Sequence, residues 1–393
     1  MSVARPLFLV VVLFLWLPAG ARAQALPQQV LPSPVSPPAA SGKMRVAFLN
    51  MLAPSNPMQR SIAEVMEAAA HDLGIQLDQY NAAYWPGENL ELLRRLVNGS
   101  QKPNYLIISM HRGIGVQILE IAEQAHVPVF VIITGLTPEE QTRFGGPRQH
   151  FKSWLGQMVP DDTAAGHRLA HLLRDAAHGL QPGPPEGRKG LVALKGRSDD
   201  YAVKRSEGLN QALAELSDVE FLQGVYVIVW DPAMAQRRVS LLLRRYPELQ
   251  LVWASNDVMA LGAVQALEEA GRRPGVDVMV GGIGWTPQAL QAVREGKLVT
   301  SLGGQLLQGA WALVLLYDYH HGKDFAAERL DWRTEMVAIT RGNVDEHLRL
   351  LGDPSWKKID FRAFSKVANP TLKHYDFSLQ ALFKQLHSPA APP

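Results

Sequence analysis

Two charged residues, Asp257 and Arg205, have side chains and positions that suit recognition of a polar molecule. Asp257 lies where the apolar segment 249–254 ends and the helical pattern VMALGAVQAL begins, and Arg205 lies in a helical pattern that follows the apolar segment 190–195. A carboxylate accepts hydrogen bonds, whereas a guanidinium donates several in a fixed fork. Two simpler roles stay open, with Asp257 as a cap for its helix and Arg205 as a solvated surface charge.

Short apolar strands alternate with amphipathic helices through most of the chain. The predicted strands span 45–50, 75–80, 105–109, 127–134, 190–195, 219–229, 249–254, 277–281, 299–303 and 336–340. The helical patterns between them include 58–73, 115–126, 163–178, 200–216, 232–245, 258–270 and 306–322. Near-continuous apolar strands joined by helices are typical of parallel sheets covered on both faces, and about ten strands exceed one comfortable open sheet. The pattern therefore predicts an α/β fold with two doubly wound, parallel-sheet lobes.

In doubly wound folds, ligands bind beyond the carboxyl ends of the strands, where loops enter helices. These junctions hold the polar and aromatic residues Asn56, Gln59, Ser109, Tyr201, Arg205, Trp230, Asp231, Asp257, Trp285 and Gln305. Structural roles stay open for several of them, because Asn56 precedes a proline and the three aromatic residues would also suit a core. The register of Gln305 is uncertain from the sequence.

The N-terminal residues have the layout of a cleaved secretory signal. A basic Arg5 precedes the apolar run 7–17, and the small-x-small site 21–23 follows it. We therefore expect cleavage after Ala23, then a proline-dense linker over 24–43, and a periplasmic location for the mature protein. The chain contains no cysteine, so its stability must come from core burial rather than disulfides.

Other chemistry has little support in the sequence. The formal net charge of +2 indicates no strongly basic face for nucleic acid. His167 and His171 lie four residues apart and could share a helix face, but no third ligand is obvious, so no metal site is expected. GGIGWTP lacks the third glycine of a dinucleotide fingerprint, and neither a phosphate-binding loop nor a serine-hydrolase elbow is present. We expect no cofactor and no catalytic residues.

Four segments resemble the ribose- and galactose-type periplasmic binding proteins (type I), which include the periplasmic receptor for the furanosyl quorum-sensing signal. They are SNPMQRSI, KRSEGLNQAL, SNDVMALGAVQAL and VGGIGWTPQALQAVREGKL, and the similarity covers roughly residues 44–341. The resemblance implies two lobes joined by a three-strand hinge, with a sugar-like ligand held between them. It implies lobe 1 from 44–160 plus 306–333, lobe 2 from 161–305 plus 334–343, and a C-terminal tail over 344–393.

The resemblance also implies roles for individual residues. Asn56, Met58 and Gln59, with Ser109 nearby, would contact the ligand from the first lobe; Tyr201, Arg205, Trp230 or Asp231, Asp257 and Gln305 would do so from the second lobe and the hinge. The family's aromatic residues are replaced by Met58 and Gln59, and the loop 133–136 lacks the family's acid. Trp230 and Trp285 are candidates to supply the missing aromatic faces.

We therefore expect a periplasmic solute-binding protein, acting as a monomer, that presents a small polar ligand to an ABC permease. Signalling to a membrane sensor kinase or chemoreceptor is the alternative. An exported carbohydrate-active enzyme is a further alternative, for which Asp231 and Asp257 are the candidate catalytic pair. The amphipathic tail is expected to pack on a lobe, although docking of a partner stays open.

Overall fold

The computed structural model describes residues 43–50, 57–81, 86–110, 113–180, 187–196, 200–352 and 356–387. The expected signal segment 1–23, almost all of the linker 24–43 and the candidate residue Asn56 lie outside these ranges. Within them, every helix is either too short or too polar to cross a membrane.

Twelve strands of the described chain form two six-stranded sheets. The first sheet contains β1 (Arg45–Asn50), β2 (Gln76–Asn81), β3 (Tyr105–Ile108), β4 (Val129–Ile132), β5 (Trp154–Pro160) and β11 (Asp331–Thr334). The second contains β6 (Lys189–Lys195), β7 (Val219–Tyr226), β8 (Leu249–Ala254), β9 (Met279–Ile283), β10 (Thr300–Gly303) and β12 (Val337–Thr340). Their strand orders, β2-β1-β3-β4-β5-β11 and β7-β6-β8-β9-β10-β12, are equivalent, and only the pairing of β12 with β10 is antiparallel among those described. The expected pair of doubly wound lobes is confirmed.

Helices connect and cover these strands. They are α1 (Pro57–Asp72), α2 (Pro86–Asn98), α3 (Gly115–Gln124), α4 (Pro138–Phe144), α5 (Asp162–Ala176), α6 (Asp200–Glu215), α7 (Pro232–Arg245), α8 (Asp257–Glu269), α9 (Pro287–Arg294), α10 (Gln308–His320), α11 (Val344–Leu351) and α12 (Leu379–His387). Several start where the sequence places a capping residue before proline. Thr137, Asp231 and Thr286 each accept a hydrogen bond from the first turn of the following helix, which begins with proline.

Strand β5 was missed by the sequence analysis. Its segment WLGQMVP is buried throughout, but Gly156 and Gln157 interrupt the apolar run. The glycine is required by packing, because a Cβ there would lie 2.8 Å from the Phe325 ring and 2.9 Å from the Phe130 ring. Strand β5 is therefore specified by the residues that pack against it in space and not by its own composition.

The chain passes between the two sheets three times: from β5 to α5, from β10 to α10, and from β11 to β12. The crossings are bonded to one another, since the amide of Asp161 donates to the Thr334 carbonyl at 3.0 Å. The side-chain amide of Gln308 donates to Thr334 Oγ1 at 2.6 Å. The expected three-strand hinge is confirmed. Thr334 pairs within the first sheet, one residue past the predicted lobe boundary.

The C-terminal tail packs on elements of both lobes. Helix α11 lies against α9 and β12, with an ion pair between Asp345 and Arg294 at 3.2 Å. Further along, the aromatic rings of Phe361, Phe364 and Phe377 surround Trp311 of α10. The described tail therefore contributes buried aromatic residues to the core of the molecule.

Candidate functional site

The topology of the second sheet brings Arg205 and Asp257 together. Its strand order reverses between β6 and β8, and ligands of doubly wound folds bind at such a switch point. Helix α6, which carries Arg205, follows β6, and α8, which begins with Asp257, follows β8. Two residues that are distant in sequence therefore meet at the carboxyl ends of adjacent strands.

Arg205 is held rigidly inside the protein, with 4% of its surface exposed. Its Nε donates to Asp162 Oδ1 at 2.7 Å, and its Nη1 donates to the Ser255 carbonyl at 2.7 Å. The guanidinium carbon lies 5.1 Å from the centre of the Tyr201 ring. The alternative of a solvated surface charge is wrong, and the fork keeps further N–H groups for a ligand.

Asp257 does not cap its own helix. Asn256 is the N-cap of α8, and its side chain accepts from the Met259 amide at 2.9 Å. The Asp257 carboxylate is fully buried and accepts from the Thr286 amide and from Ser301 Oγ, both at 2.8 Å. The capping interpretation of Asp257 is therefore wrong, and its carboxylate is oriented by Ser301 of β10 and by Thr286, the N-cap of α9.

Burial makes both carboxylates of this region easier to protonate. It raises the pKa of Asp257 to about 6, against the opposing effect of hydrogen bonds from Thr286 and Ser301. It also raises the pKa of Asp162 to about 6, although the adjacent Arg205 acts in the opposite direction. Desolvation of the charged form outweighs the hydrogen bonds in both cases.

Arg205 and Asp257 line one cavity of ≈ 30 Å³. Its other lining residues are Met58, Ile133, Pro160, Asp162, Tyr201, Asn256, Val258, Ile283, Gly284, Thr286 and Gln305. The second lobe supplies the charged groups, whereas Met58 and Ile133 of the first lobe supply an apolar wall. The cavity thus offers polar groups on one side and hydrocarbon on the other.

The two lobes approach each other closely at this cavity. A Cβ on Gly284 of the second lobe would lie 3.5 Å from the terminal methyl group of Met58 in the first. A volume of ≈ 30 Å³ accommodates about two water molecules, whereas sites for small ligands typically measure about 300–1,000 Å³. The cavity as it stands is therefore smaller than a typical small-molecule site.

Gln305 is the cavity residue whose polar groups are unsatisfied. It is 2% exposed, and neither its Nε2 nor its Oε1 has a hydrogen-bond partner among the described residues. Gln308, one turn later, is equally buried but satisfied, because it accepts from the Ile133 amide at 2.9 Å and donates to Thr334. A buried amide without partners costs about 1–3 kcal/mol, so a hydrogen-bonding group placed in the cavity would stabilise it.

Ile133 reaches the cavity through an unusual backbone. Its φ of 65° is in the left-handed region, where β-branched residues are outliers. Such strain concentrates at functional sites, where surrounding contacts enforce it. Here the hydrogen bond from the Ile133 amide to Gln308 holds the loop 133–136, the one that lacks the family's acid.

Trp230 and Asp231 support the site without lining the cavity. The Trp230 ring stacks on Tyr201, with centroids 5.3 Å apart and planes 17° apart. Gly196 permits this position, since a Cβ there would lie 2.2 Å from the indole. Asp231 is the N-cap of α7 and accepts from the Met234 amide. The predicted direct contacts at these two positions, and the catalytic pair of Asp231 with Asp257, are not supported by this geometry.

Three further candidates also lie outside the cavity lining. Trp285 is 2% exposed, and its Nε1 donates to the Ser301 carbonyl at 3.1 Å, so its indole serves the core beside the hinge. The side chain of Gln59 donates to Asn81 Oδ1 at 3.2 Å, within the first lobe. Ser109 is buried immediately after β3. Of the eleven candidates, five line the cavity: Met58, Tyr201, Arg205, Asp257 and Gln305.

A larger cavity of ≈ 1130 Å³ lies between the hinge and the tail and includes Trp285, Trp332 and Tyr375 in its lining. We assign the candidate site to the smaller cavity. That cavity lies at the carboxyl ends of the strands and is lined by the buried residues Arg205, Asp257 and Gln305.

Sequence reasoning missed Asp162, which anchors Arg205. The residue follows β5, the strand that the sequence pattern did not reveal, so its junction went unrecognised. A detectable signal was present, since Asp161 caps α5 by accepting from the Ala164 amide at 2.9 Å. Recognising that cap would have marked the junction.

The structure places a carboxylate beside His167 and His171 that was not obvious from the sequence. Glu215 Oε2 lies 2.9 Å from Nε2 of His167 and 3.1 Å from Nε2 of His171. None of the three lines the cavity described above.

Comparisons with known proteins agree with this architecture. A family model described as a periplasmic binding protein domain matches residues 46–324. A solved structure of a periplasmic sugar-binding protein from Pseudomonas fluorescens is 35% identical, with a TM-score of 0.76 over 86% of this chain and 99% of that one. The ribose import binding protein RbsB of Salmonella typhimurium is 28% identical over 256 residues, 63% of this chain and 75% of its own length. The galactofuranose-binding protein YtfQ of Escherichia coli is 40% identical over 189 residues, 47% of this chain and 54% of its own.

Proposed function

Because this chain belongs to the periplasmic binding protein domain family, we propose that its two lobes close on one small sugar and present it to an ABC permease. The similar protein from Pseudomonas fluorescens is named as a periplasmic sugar-binding protein, and two further relatives are named for ribose and galactofuranose. RbsB is named as an import binding protein, which supports a permease as the partner.

The observation that carries this proposal is the unsatisfied amide of Gln305 beside Arg205 and Asp257. A sugar hydroxyl both donates and accepts a hydrogen bond, so neighbouring hydroxyls can complete an amide, a guanidinium and a carboxylate together. Charge-assisted bonds of this kind contribute about 1.5–3 kcal/mol each. An apolar ligand would leave the Gln305 amide without a hydrogen-bond partner.

The remaining walls suit the hydrocarbon face of a sugar ring. Tyr201, backed by Trp230, offers an aromatic surface, and Met58 and Ile133 offer aliphatic ones. In this proposal the ring lies between these surfaces while its hydroxyls face the second lobe. Ligand binding then favours the closed form, and the permease recognises closure.

We further infer that the protein acts as a monomer in the periplasm, after export through a signal cut behind Ala23. Cleavage behind Ala23 rests on the N-terminal sequence pattern, and the periplasmic location rests on that pattern and on the names of the family and of the similar structure. Mass determination of the mature protein in solution tests the cleavage and the monomeric state together, because it reports both the N-terminal boundary and the number of chains.

The proposal is tested by a thermal-shift and calorimetric screen of pentoses, hexoses and polyols, including sugars that populate furanose forms. We expect one or a few sugars to bind at one molecule per chain without being converted. Failure of every sugar and polyol to bind, or release of a product, contradicts the proposal.

The sharpest variant is Gln305→Leu, with Gln308→Leu as its matched control. Gln305→Leu should lower the sugar affinity at least about tenfold, yet raise the stability of the sugar-free protein, because it removes an unsatisfied buried amide. Gln308→Leu should lower stability, because its amide is satisfied. Unchanged sugar affinity in Gln305→Leu would exclude its amide from the site.

A further inference from the structure

Two histidines and one glutamate converge on the surface of the second lobe, outside the cavity. His167 and His171 lie one turn apart on α5, with ring centroids 4.5 Å apart, and Glu215 ends α6 beside them. Their candidate ligand atoms, one from each side chain, all lie within 4.8 Å of one another. The side chains are 31%, 29% and 55% exposed, so a small ion reaches them directly from solvent.

The backbone beneath this cluster is fixed by close contact between α5 and α6. A Cβ on Gly166 would lie 2.0 Å from the Arg205 carbonyl oxygen, and one on Gly208 would lie 1.9 Å from the Thr163 carbonyl oxygen. Both contacts involve backbone atoms, which cannot rotate away as side-chain ends do. The two helices therefore hold the three side chains at a set separation, as a preorganised site requires.

We propose that His167, His171 and Glu215 bind a late first-row transition ion, represented by Zn²⁺, with water completing its coordination. Two imidazole nitrogens and one carboxylate oxygen form the donor set of many three-ligand zinc sites. With bonds of about 2.0–2.1 Å, tetrahedral ligand atoms lie about 3.3 Å apart. The observed separations of 2.9 and 3.1 Å from the carboxylate oxygen need only a small expansion to reach that value.

The donor set also predicts which ions are rejected. Mg²⁺ and Ca²⁺ prefer oxygen ligands, and Glu215 alone among the three residues of this cluster supplies oxygen. The imidazole nitrogens of the two histidines favour zinc, copper and nickel. Since the cluster lies outside the cavity, the proposal stands or fails independently of sugar binding.

Calorimetric titration of the metal-free full-length protein with Zn²⁺ tests the site. We expect one ion per chain in wild type, and an affinity at least about tenfold lower in His167→Ala and in His171→Ala. Glu215→Gln should weaken binding as well, because a neutral amide is a poorer ligand. His178→Ala, an exposed histidine just beyond α5, is the matched control and should bind Zn²⁺ as wild type does. Mg²⁺ should give no saturable signal.

Two outcomes overturn the proposal: no saturable Zn²⁺ binding by wild type, or the same affinity and stoichiometry in wild type and both histidine variants. Far-ultraviolet circular dichroism of each variant establishes that it is folded. Titration with Co²⁺ adds a second readout, since its visible absorption reports coordination by these ligands and should be lost in the histidine variants.

Discussion

At the scale of single residues, the buried carboxylates of Asp162 and Asp257 link this site to pH. Both have pKa values raised by burial to about 6, whereas an aspartate in an unfolded chain titrates near 3.9. Between these values the folded protein binds more protons than the unfolded chain. The contribution of each group to the free energy of unfolding therefore decreases as pH rises through this window.

Asp257→Asn should remove the part of this pH dependence that belongs to Asp257. Relative to the variant, wild type should gain stability as pH falls from about 6.5 to about 4, by at most about 1.4 kcal/mol per pH unit. Urea unfolding of both proteins across this range measures the difference. Parallel stability profiles would mean that Asp257 titrates normally in the folded state.

Arg205→Lys should weaken sugar binding at least about tenfold, although the positive charge is kept. A lysine ammonium lacks the planar fork that joins Asp162, the Ser255 carbonyl and, in our proposal, the ligand. Calorimetry with the best sugar of the screen measures the change. Lys204→Gln is the control on the same helix, because Lys204 forms an ion pair with Asp200 and does not line the cavity. Equal losses in both variants would show that the effect does not depend on the guanidinium fork of Arg205.

At the scale of elements, the contact between α5 and α6 depends on glycine at two points. Gly208→Ala should destabilise the protein by about 1–3 kcal/mol, because its Cβ would overlap the backbone of α5. Gly179→Ala is the matched control, since a Cβ there meets nothing within 4 Å. Denaturant midpoints measure both changes. A neutral Gly208→Ala would show that the helices can move apart without loss.

At the scale of the whole molecule, Asp318 attaches the tail to the first lobe. Its buried carboxylate accepts from the Lys366 amide at 2.6 Å and from the Tyr375 hydroxyl at 2.8 Å, and also from Ser365. Burial and the adjacent Asp318 carboxylate raise the pKa of Tyr375, so the tyrosine remains a hydrogen-bond donor. The same tail reaches the second lobe through α11 and therefore spans both lobes.

Asp318→Asn should release this segment, because the amide replaces one of the two accepting carboxylate oxygens with a donor. We expect a loss of at least about 2 kcal/mol and faster hydrogen exchange across residues 356–377. Asp345→Asn, which breaks the exposed ion pair with Arg294 elsewhere in the tail, should change stability little. Unchanged exchange in Asp318→Asn would show that aromatic packing on Trp311 suffices to hold the tail.

Local pattern alone predicts the α/β rhythm, the two-lobed fold and four of the cavity residues, Tyr201, Arg205, Asp257 and Gln305. The fifth, Met58, follows from the family resemblance. Strand and helix periods, proline and capping residues are set by near neighbours in sequence, and parallel sheets bring their carboxyl ends to one edge. Arg205 and Asp257 were predictable for this reason, since each lies just beyond a strand that the composition reveals.

Only the tertiary structure decided which junction residues meet. Strand β5 and Asp162 depend on neighbours that the local segment does not show, and Asp231 and Trp285 have polar groups engaged by their own helix or by the hinge. Glu215 contacts His167, which lies 48 positions earlier in the sequence, because α5 and α6 pack closely at Gly166 and Gly208. Local periodicity specifies the direction of a side chain on its own element, whereas its partners are set by how elements pack, and that information is distributed over distant segments of the chain.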